Sequence, residues 1–192
     1  REKYFKTIFN EINIIEPGHC YSIDIETLEI NKKRWWLGLN NIPNISSNKK
    51  IIKEDLVNKL TQATEMRIIS DAKIATSLSG GIDSAIIFAI LNQLKKTNKL
   101  DLNPFIVNYK TNKTFDAALN FANSFNKKPI VVNTQENLNE EDLTTMDMTL
   151  SSLETTSIYT KQIALYKRQN KNGFKVSIDG HGADESLGGY TR

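Results

Sequence analysis

Residues 76–84 read TSLSGGIDS and stand between KIATSL (73–78) and SAIIFAILNQL (84–94). The first flank reads as a short strand, the second as a helix apolar almost all round. A tight glycine turn therefore feeds a helix N-terminus. Such a turn presents unpaired backbone N–H groups and the positive end of the helix dipole, and Gly80 and Gly81 carry no Cβ to hold a ligand away. That is anion-binding geometry. Ser79 and Ser84 add hydroxyls at either end, and Asp83 places a carboxylate where a magnesium ion bridging phosphates needs an oxygen ligand. The glycines are not followed by Gly-Lys-Ser/Thr, so this is not a Walker A loop, and it is not G-x-G-x-x-G. The plainer reading is an ordinary glycine turn of an α/β domain.

A second motif weighs against the plainer reading. In residues 174–190, FKVSIDGHGADESLGGY, a strand candidate (Phe174–Ile178) runs into a polar, glycine-rich turn carrying Asp179, Asp184 and Glu185. Open α/β sheets bind ligands at the carboxyl ends of their strands, so the two motifs can meet across one crevice although they lie far apart in sequence.

The turn resembles the S-G-G-x-D-S signature of the PP-loop ATP pyrophosphatases, which cleave ATP between its α and β phosphates. LSGGIDS together with DGHGADESLGGY resembles the synthetase domain of glutamine-dependent asparagine synthetases and their relatives, including β-lactam and carbapenam synthetases. The resemblance implies an α/β fold, a parallel Rossmann-like sheet flanked by helices. It also implies ATP and Mg2+ as cofactors, a small-molecule carboxylate substrate, a glutaminase domain or other ammonia source, and a homodimer when full length. On the matching positions, Ser77, Leu78, Ser79, Gly80, Gly81, Asp83, Ser84, Asp179 and Gly180 are expected to bind the nucleotide. Asp83 and Asp184 are expected to ligate the metal, and His181, Asp184 and Glu185 to serve catalysis.

The bulk properties are compatible with that expectation. At 192 residues, 39% hydrophobic and 24% charged, the chain can bury a sizeable core. A formal charge of +3 with dispersed lysines does not imply nucleic acid. No stretch approaches the ~20 apolar residues that span a bilayer, and no secretory signal opens the chain, so a cytoplasmic enzyme is expected. One cysteine permits no internal disulfide and no thiolate metal cluster.

Residues 4–36 carry strand signals: YFKTIF, INII, a turn at Glu16-Pro17-Gly18, then a hairpin turning near Glu26-Thr27. TIFNEINIIEPGHCYSIDIETLEINKKRWW also resembles the end of the family's glutaminase domain. Cys20 lies inside a strand, without the free α-amine that assists the family's N-terminal cysteine, and is expected to be a small packed residue. His19 is expected to bond backbone in its turn, and Trp35 and Trp36 to pack at a domain junction.

The expected organisation is therefore a remnant of a glutaminase-like β domain (1–36), a linker (37–50) and a synthetase domain (51–192) truncated at its C-terminus. A start on Arg1 and an end two residues after Tyr190 suggest a piece of a longer protein. In IIKEDLVNKLTQATEMRIIS, residues Ile52, Leu56, Leu60 and Ala63 share a helical face, with Glu65 and Arg67 read as solvated decoration. Strand 104–109, helix 114–126 and strand 129–134 complete a βαβαβ run that favours a parallel sheet. Helical segments at 139–152 and 156–171 follow. Val107–Tyr109 and Glu154 are further positions that the resemblance touches.

Two departures bear on function. Where family asparagine synthetases read S-G-E/D-G-S/A-D-E-L-F-G-G-Y, Asp179 replaces the serine and His181 the acidic residue. The family's downstream catalytic lysine lies past the end of this sequence, so the piece is not expected to turn over alone. Three functions fit: an asparagine-synthetase-like amidotransferase core, a relative that amidates or cyclises another carboxylate, and a non-catalytic nucleotide-binding module.

Overall fold

The computed structural model describes residues 10–38, 46–98, 102–108, 113–133 and 157–189. Strand 4–9, helix 139–152, Tyr109, Glu154 and Tyr190 lie outside the described residues.

The central sheet has four parallel strands in the order β5-β4-β3-β6: β3 Ile74–Ser77, β4 Pro104–Val107, β5 Ile130–Val132 and β6 Val176–Ser177. Short apolar runs form these strands because the sheet is covered on both faces. Helix α2 (Ile82–Asn98) follows β3, α3 (Lys113–Ser124) follows β4, and α4 (Ser157–Lys171) precedes β6. Strand alternation sends Ala75, Phe105 and Val107 to one face, where they pack with Ala164 and Leu165 of α4 and with Phe174. Ile106, between Phe105 and Val107, faces the other way and joins Leu78, Phe88, Ala118 and Ala122 under α2 and α3. Phe88 meets Phe125 edge-on at 5.4 Å between ring centroids, a favoured aromatic arrangement.

The strand order fixes where a ligand can sit. The chain moves from β3 outward through β4 and β5, then crosses to place β6 on the far side of β3. The carboxyl ends of β3 and β6 thus flank a topological switch point. β6 is shorter than the expected strand at Phe174–Ile178, although the Ile178 N–H still reaches Ala75 O at 2.9 Å.

Helix α1 (Lys49–Glu65) begins with Asn48 as N-cap, its side chain accepting from Lys50 N–H. Leu60 packs beside the α2 cluster, but Ile52 and Leu56 on the same expected face remain exposed. The N-terminal part forms an antiparallel hairpin of β1 (His19–Ile23) and β2 (Ile30–Arg34) that turns at residues 25–27, as the sequence indicates. INII supplies only an isolated bridge at Asn13. His19 bonds Pro17 O at 3.0 Å, as expected for a turn residue.

Cys20 corrects its expectation: it is exposed, not packed. The physical reason is that the hairpin has open faces, with Ile23, Ile30, Trp35 and Trp36 exposed as well. Among the described residues no helix is long and apolar enough to cross a membrane.

Candidate active site

The glycine turn is held by its own serines. Ser84, buried at the start of α2, donates its hydroxyl to Gly81 O at 3.1 Å and accepts the Ser79 N–H at 3.1 Å. Its Oγ also lies 3.0 Å from Ser79 Oγ, which accepts the Gly81 N–H at 3.2 Å. These bonds shape the loop from within.

The first intrahelical bond of α2 runs from Ala85 N–H to Gly81 O. As at any helix start, the preceding N–H groups, those of Ile82, Asp83 and Ser84, have no intrahelical acceptor. The Asp83 side chain, half-buried in the first turn of α2, has no hydrogen-bond or ionic partner among the described residues. Donors and a free carboxylate therefore stand together at the switch point.

Gly80 is required by both dihedral and space. It has φ +83°, and a Cβ there would fall 2.1 Å from Thr114 O at the head of α3. No sequence signal pointed to Thr114 as the residue that presses on the loop. Leu78 is committed to the core, and its N–H is taken by Phe105 O at 2.9 Å.

The second motif meets the first. Asp179 Oδ1 accepts both the Ser77 N–H, at 2.9 Å, and the Ser77 hydroxyl, at 2.6 Å. Its Oδ2 accepts from Ser177 Oγ at 2.9 Å and from the Tyr166 hydroxyl at 3.4 Å. Burial pushes the Tyr166 phenol above its ordinary value, and the Asp179 charge acts in the same direction. Gly180 sits so close to α2 that a Cβ would fall 2.7 Å from Ser84 N. The acidic turn is therefore bolted to the glycine turn by backbone contact and by one carboxylate.

The remaining expected residues are less tightly placed. His181 is exposed, with Nε2 3.4 Å from Gln162 Nε2 on α4. Asp184 and Glu185 occupy the first turn of the short helix α5 (Ala183–Leu187), where carboxylates complement the helix dipole. A Cβ on Gly189 would overlap the Asp184 carboxylate, so that glycine gives the side chain room. Among the described residues no cluster of three or more His, Cys, Asp or Glu could hold a metal alone.

A cavity of about 400 Å³ opens beside this junction. Leu56 and Leu60 of α1, Ile86 and Ile87 of α2 and Leu187 of α5 give it apolar walls, while Asp83, Asp179, Gly180 and His181 form its polar side. Arg67 also lines it, where the sequence suggested a solvated face. The clue was position: Arg67 falls just past the C-terminus of α1, and α1 and α2 pack together.

An open parallel sheet with a glycine turn opening the helix after its inner strand defines an α/β domain with its ligand crevice at the switch point. The chain belongs to the asparagine synthase family, whose model matches residues 55–192.

It is 27% identical over 188 residues to the glutamine-hydrolysing asparagine synthetase of Homo sapiens, aligning over 93% of this chain and 31% of the human protein. It is 29% identical over 210 residues to asparagine synthetase (glutamine-hydrolysing) 3 of Bacillus subtilis (strain 168), over 95% of this chain and 31% of that protein. The chain thus spans about a third of the length of these relatives. Among solved structures, the U34-tRNA thiolase NcsA from Methanococcus maripaludis superposes with a TM-score of 0.52 at 19% identity, covering 71% of this chain and 48% of that one. That last likeness is one of fold.

Proposed function

We propose that this chain is the core of an ATP-dependent synthetase that adenylates a carboxylate, releases pyrophosphate and passes the acyl group to ammonia derived from glutamine. Family membership over residues 55–192 supports the reaction class. The observation that carries the reading is the junction of the two motifs, Asp179 on Ser77 and Gly180 against Ser84. It supports a reading in which the start of α2 and the acidic turn serve one crevice.

In this reading, the N–H groups of the glycine turn and the Ser79 hydroxyl hold the departing pyrophosphate, donors placed where charge develops. The residues fit a metal of modest protein demand. Magnesium takes one or two carboxylates plus phosphate oxygens and water, and the Asp83 carboxylate has no partner among the described residues. Asp83 and Asp184 would hold the ion, which supplies neutralisation of the triphosphate. Asp179, with both oxygens engaged by protein donors, positions the turn. His181, on the polar side of the cavity, faces the acyl acceptor chemistry.

The hairpin segment 1–36 and linker 37–50 fit the end of a glutaminase domain and its connection to a synthetase domain at 51–192. The supporting features are the antiparallel hairpin and the match that begins at residue 55. A cytoplasmic location and a homodimeric full-length protein belong to the same proposal.

Isothermal titration of Mg–ATP into the chain, with Asp83→Asn and Asp184→Asn beside the parent, tests the reading. Each substitution should weaken binding by roughly tenfold, the size of one lost charge-assisted contact. Equal affinity in all three proteins would remove the shared-crevice mechanism.

A further inference from the structure

The acidic turn is tied to α4 by a chain of hydrogen bonds that has a direction. Gln162 and Tyr166 stand four residues apart on α4, hence on one face of the helix. The Tyr166 hydroxyl lies 3.4 Å from Asp179 Oδ2 and 3.1 Å from Gln162 Nε2, and Gln162 Nε2 lies 3.4 Å from His181 Nε2. Among the described residues the side chains of Gln162, Tyr166 and His181 make no other hydrogen bond.

The donors and acceptors of these four groups fill the chain in one way. A carboxylate only accepts, so Tyr166 donates its single hydroxyl proton to Asp179. Burial raises the phenol and the Asp179 charge acts in the same direction, which keeps that proton in place. The phenol oxygen can then only accept, so the Gln162 amide turns its NH2 group toward it and its carbonyl oxygen away. The same NH2 group meets His181 Nε2, which accepts only when it carries no proton. In the neutral imidazole the proton therefore stands on Nδ1.

We propose that Tyr166 and Gln162 are positioning residues that relay the Asp179 charge to His181 and hold its ring as the Nδ1–H tautomer. With Nε2 taken by Gln162, the ring has only an N–H to offer the cavity that His181 lines. Resting on the synthetase reading given above, this makes His181 a donor to a carboxylate or acyl oxygen and not the base that takes a proton from the incoming amine.

The test is long-range 1H–15N correlation of the 15N-labelled chain at about pH 8, above the ordinary imidazole value of about 6.5. The chain has two histidines, and His181→Gln assigns the signals by their loss. In the parent, His181 Nδ1 should show the shift of a protonated ring nitrogen and Nε2 that of an unprotonated one. Gln162→Glu puts an acceptor in place of the donor and should move the proton to Nε2. Tyr166→Phe frees the amide to turn over and should leave a mixture of both tautomers. Gln162 is half-buried and Tyr166 exposed, so neither substitution opens the core.

A parent with the proton on Nε2 or shared between the nitrogens, or a Gln162→Glu protein with the parent's pattern, would overturn the tautomer assignment. The role is read separately, with Mg–α,β-methylene ATP bound and acetate added as the carboxylate probe. Acetate should shift the Nδ1 signal and leave Nε2 where it was. An Nδ1 signal that acetate does not move sinks the donor role and leaves the synthetase reading in place. An analogue that fails to bind the parent sinks the synthetase reading, and the donor role with it.

Discussion

Ser77 and Asp179 lie 102 positions apart, yet one oxygen of the Asp179 carboxylate accepts both the N–H and the hydroxyl of Ser77. This pair closes the sheet at the ends of β3 and β6 and sets the distance between the glycine turn and the acidic turn. A serine at position 179, as the family pattern has it, has one short hydroxyl and could not answer all four donors that the carboxylate receives. Asp179 and its partners Ser177 and Tyr166 form one unit.

Removing that unit has a graded consequence. Asp179→Ala leaves the half-buried Ser77 N–H without its acceptor and should cost about 2 kcal/mol of stability. Asp179→Asn keeps an oxygen toward Ser77 and should cost less than half as much. Urea unfolding of both variants measures the difference, and equal losses would show that the carboxylate charge, not the acceptor position, is what matters.

Gly80 and Gly173 separate dihedral strain from steric overlap. Both have positive φ, +83° and +82°, but a Cβ on Gly173 meets open space while one on Gly80 runs into Thr114 O. Gly173→Ala should therefore cost only the left-handed penalty of about 1–2 kcal/mol. Gly80→Ala should cost more and should also abolish nucleotide binding, because α3 must shift. Thermal unfolding and ATP titration of the two variants compare them directly.

The hairpin carries its own pH response. Asp24 Oδ1 accepts the N–H groups of Thr27 at 2.8 Å and Glu26 at 3.0 Å, and these bonds hold its carboxyl below the ordinary aspartate value. A depressed pKa means that the contribution is present above the ordinary carboxylate range and is lost as pH falls through the lowered value. Asp24→Asn keeps the acceptor oxygen and should flatten this response. Amide chemical shifts of Glu26 and Thr27 followed from pH 7 downward, at intervals of about half a unit, report it.

The sheet was legible because its signals are local. The run IATS fits a strand between helices, SGG forces a turn, and apolar residues from Ile82 onward make a helix. The meeting of Asp179 with Ser77 followed from topology, since strands of one parallel sheet bring their carboxyl ends together. What escaped were relations that depend on what covers a surface. Alternation in the hairpin indicates which residues could be buried, but among the described residues no layer lies over Cys20, Trp35 or Trp36. Ile52 and Leu56 likewise follow the helical period yet stay exposed. Arg67 and Tyr166 were illegible for a different reason: Arg67 falls just past the end of α1 and Tyr166 lies within α4, and the period of neither helix says what that position approaches.

Exposure of Cys20 has a measurable result. It lies within β1, paired opposite Lys33, and, being inside the chain, has no free α-amine. Maleimide should label it completely in the folded chain, and glutamate release from glutamine should remain at background before and after labelling. Glutamine hydrolysis abolished by the label would show that this cysteine is a nucleophile.

His181 is where the acidic turn departs from the family's acidic residue. On the polar side of the cavity a neutral imidazole offers one donor and one acceptor nitrogen, where a carboxylate offers acceptors and a negative charge. His181→Glu would place a carboxylate there. It can accept from a substrate ammonium, so His181→Glu should tighten aspartate binding. His181→Gln, which adds no negative charge and changes the reach to Gln162 little, should leave aspartate binding as it is. Pyrophosphate release by the complete protein with aspartate gives the kinetic counterpart. A parent that converts aspartate efficiently, and a His181→Glu protein indistinguishable from it, would return position 181 to an ordinary solvent-facing residue and the protein to asparagine synthesis.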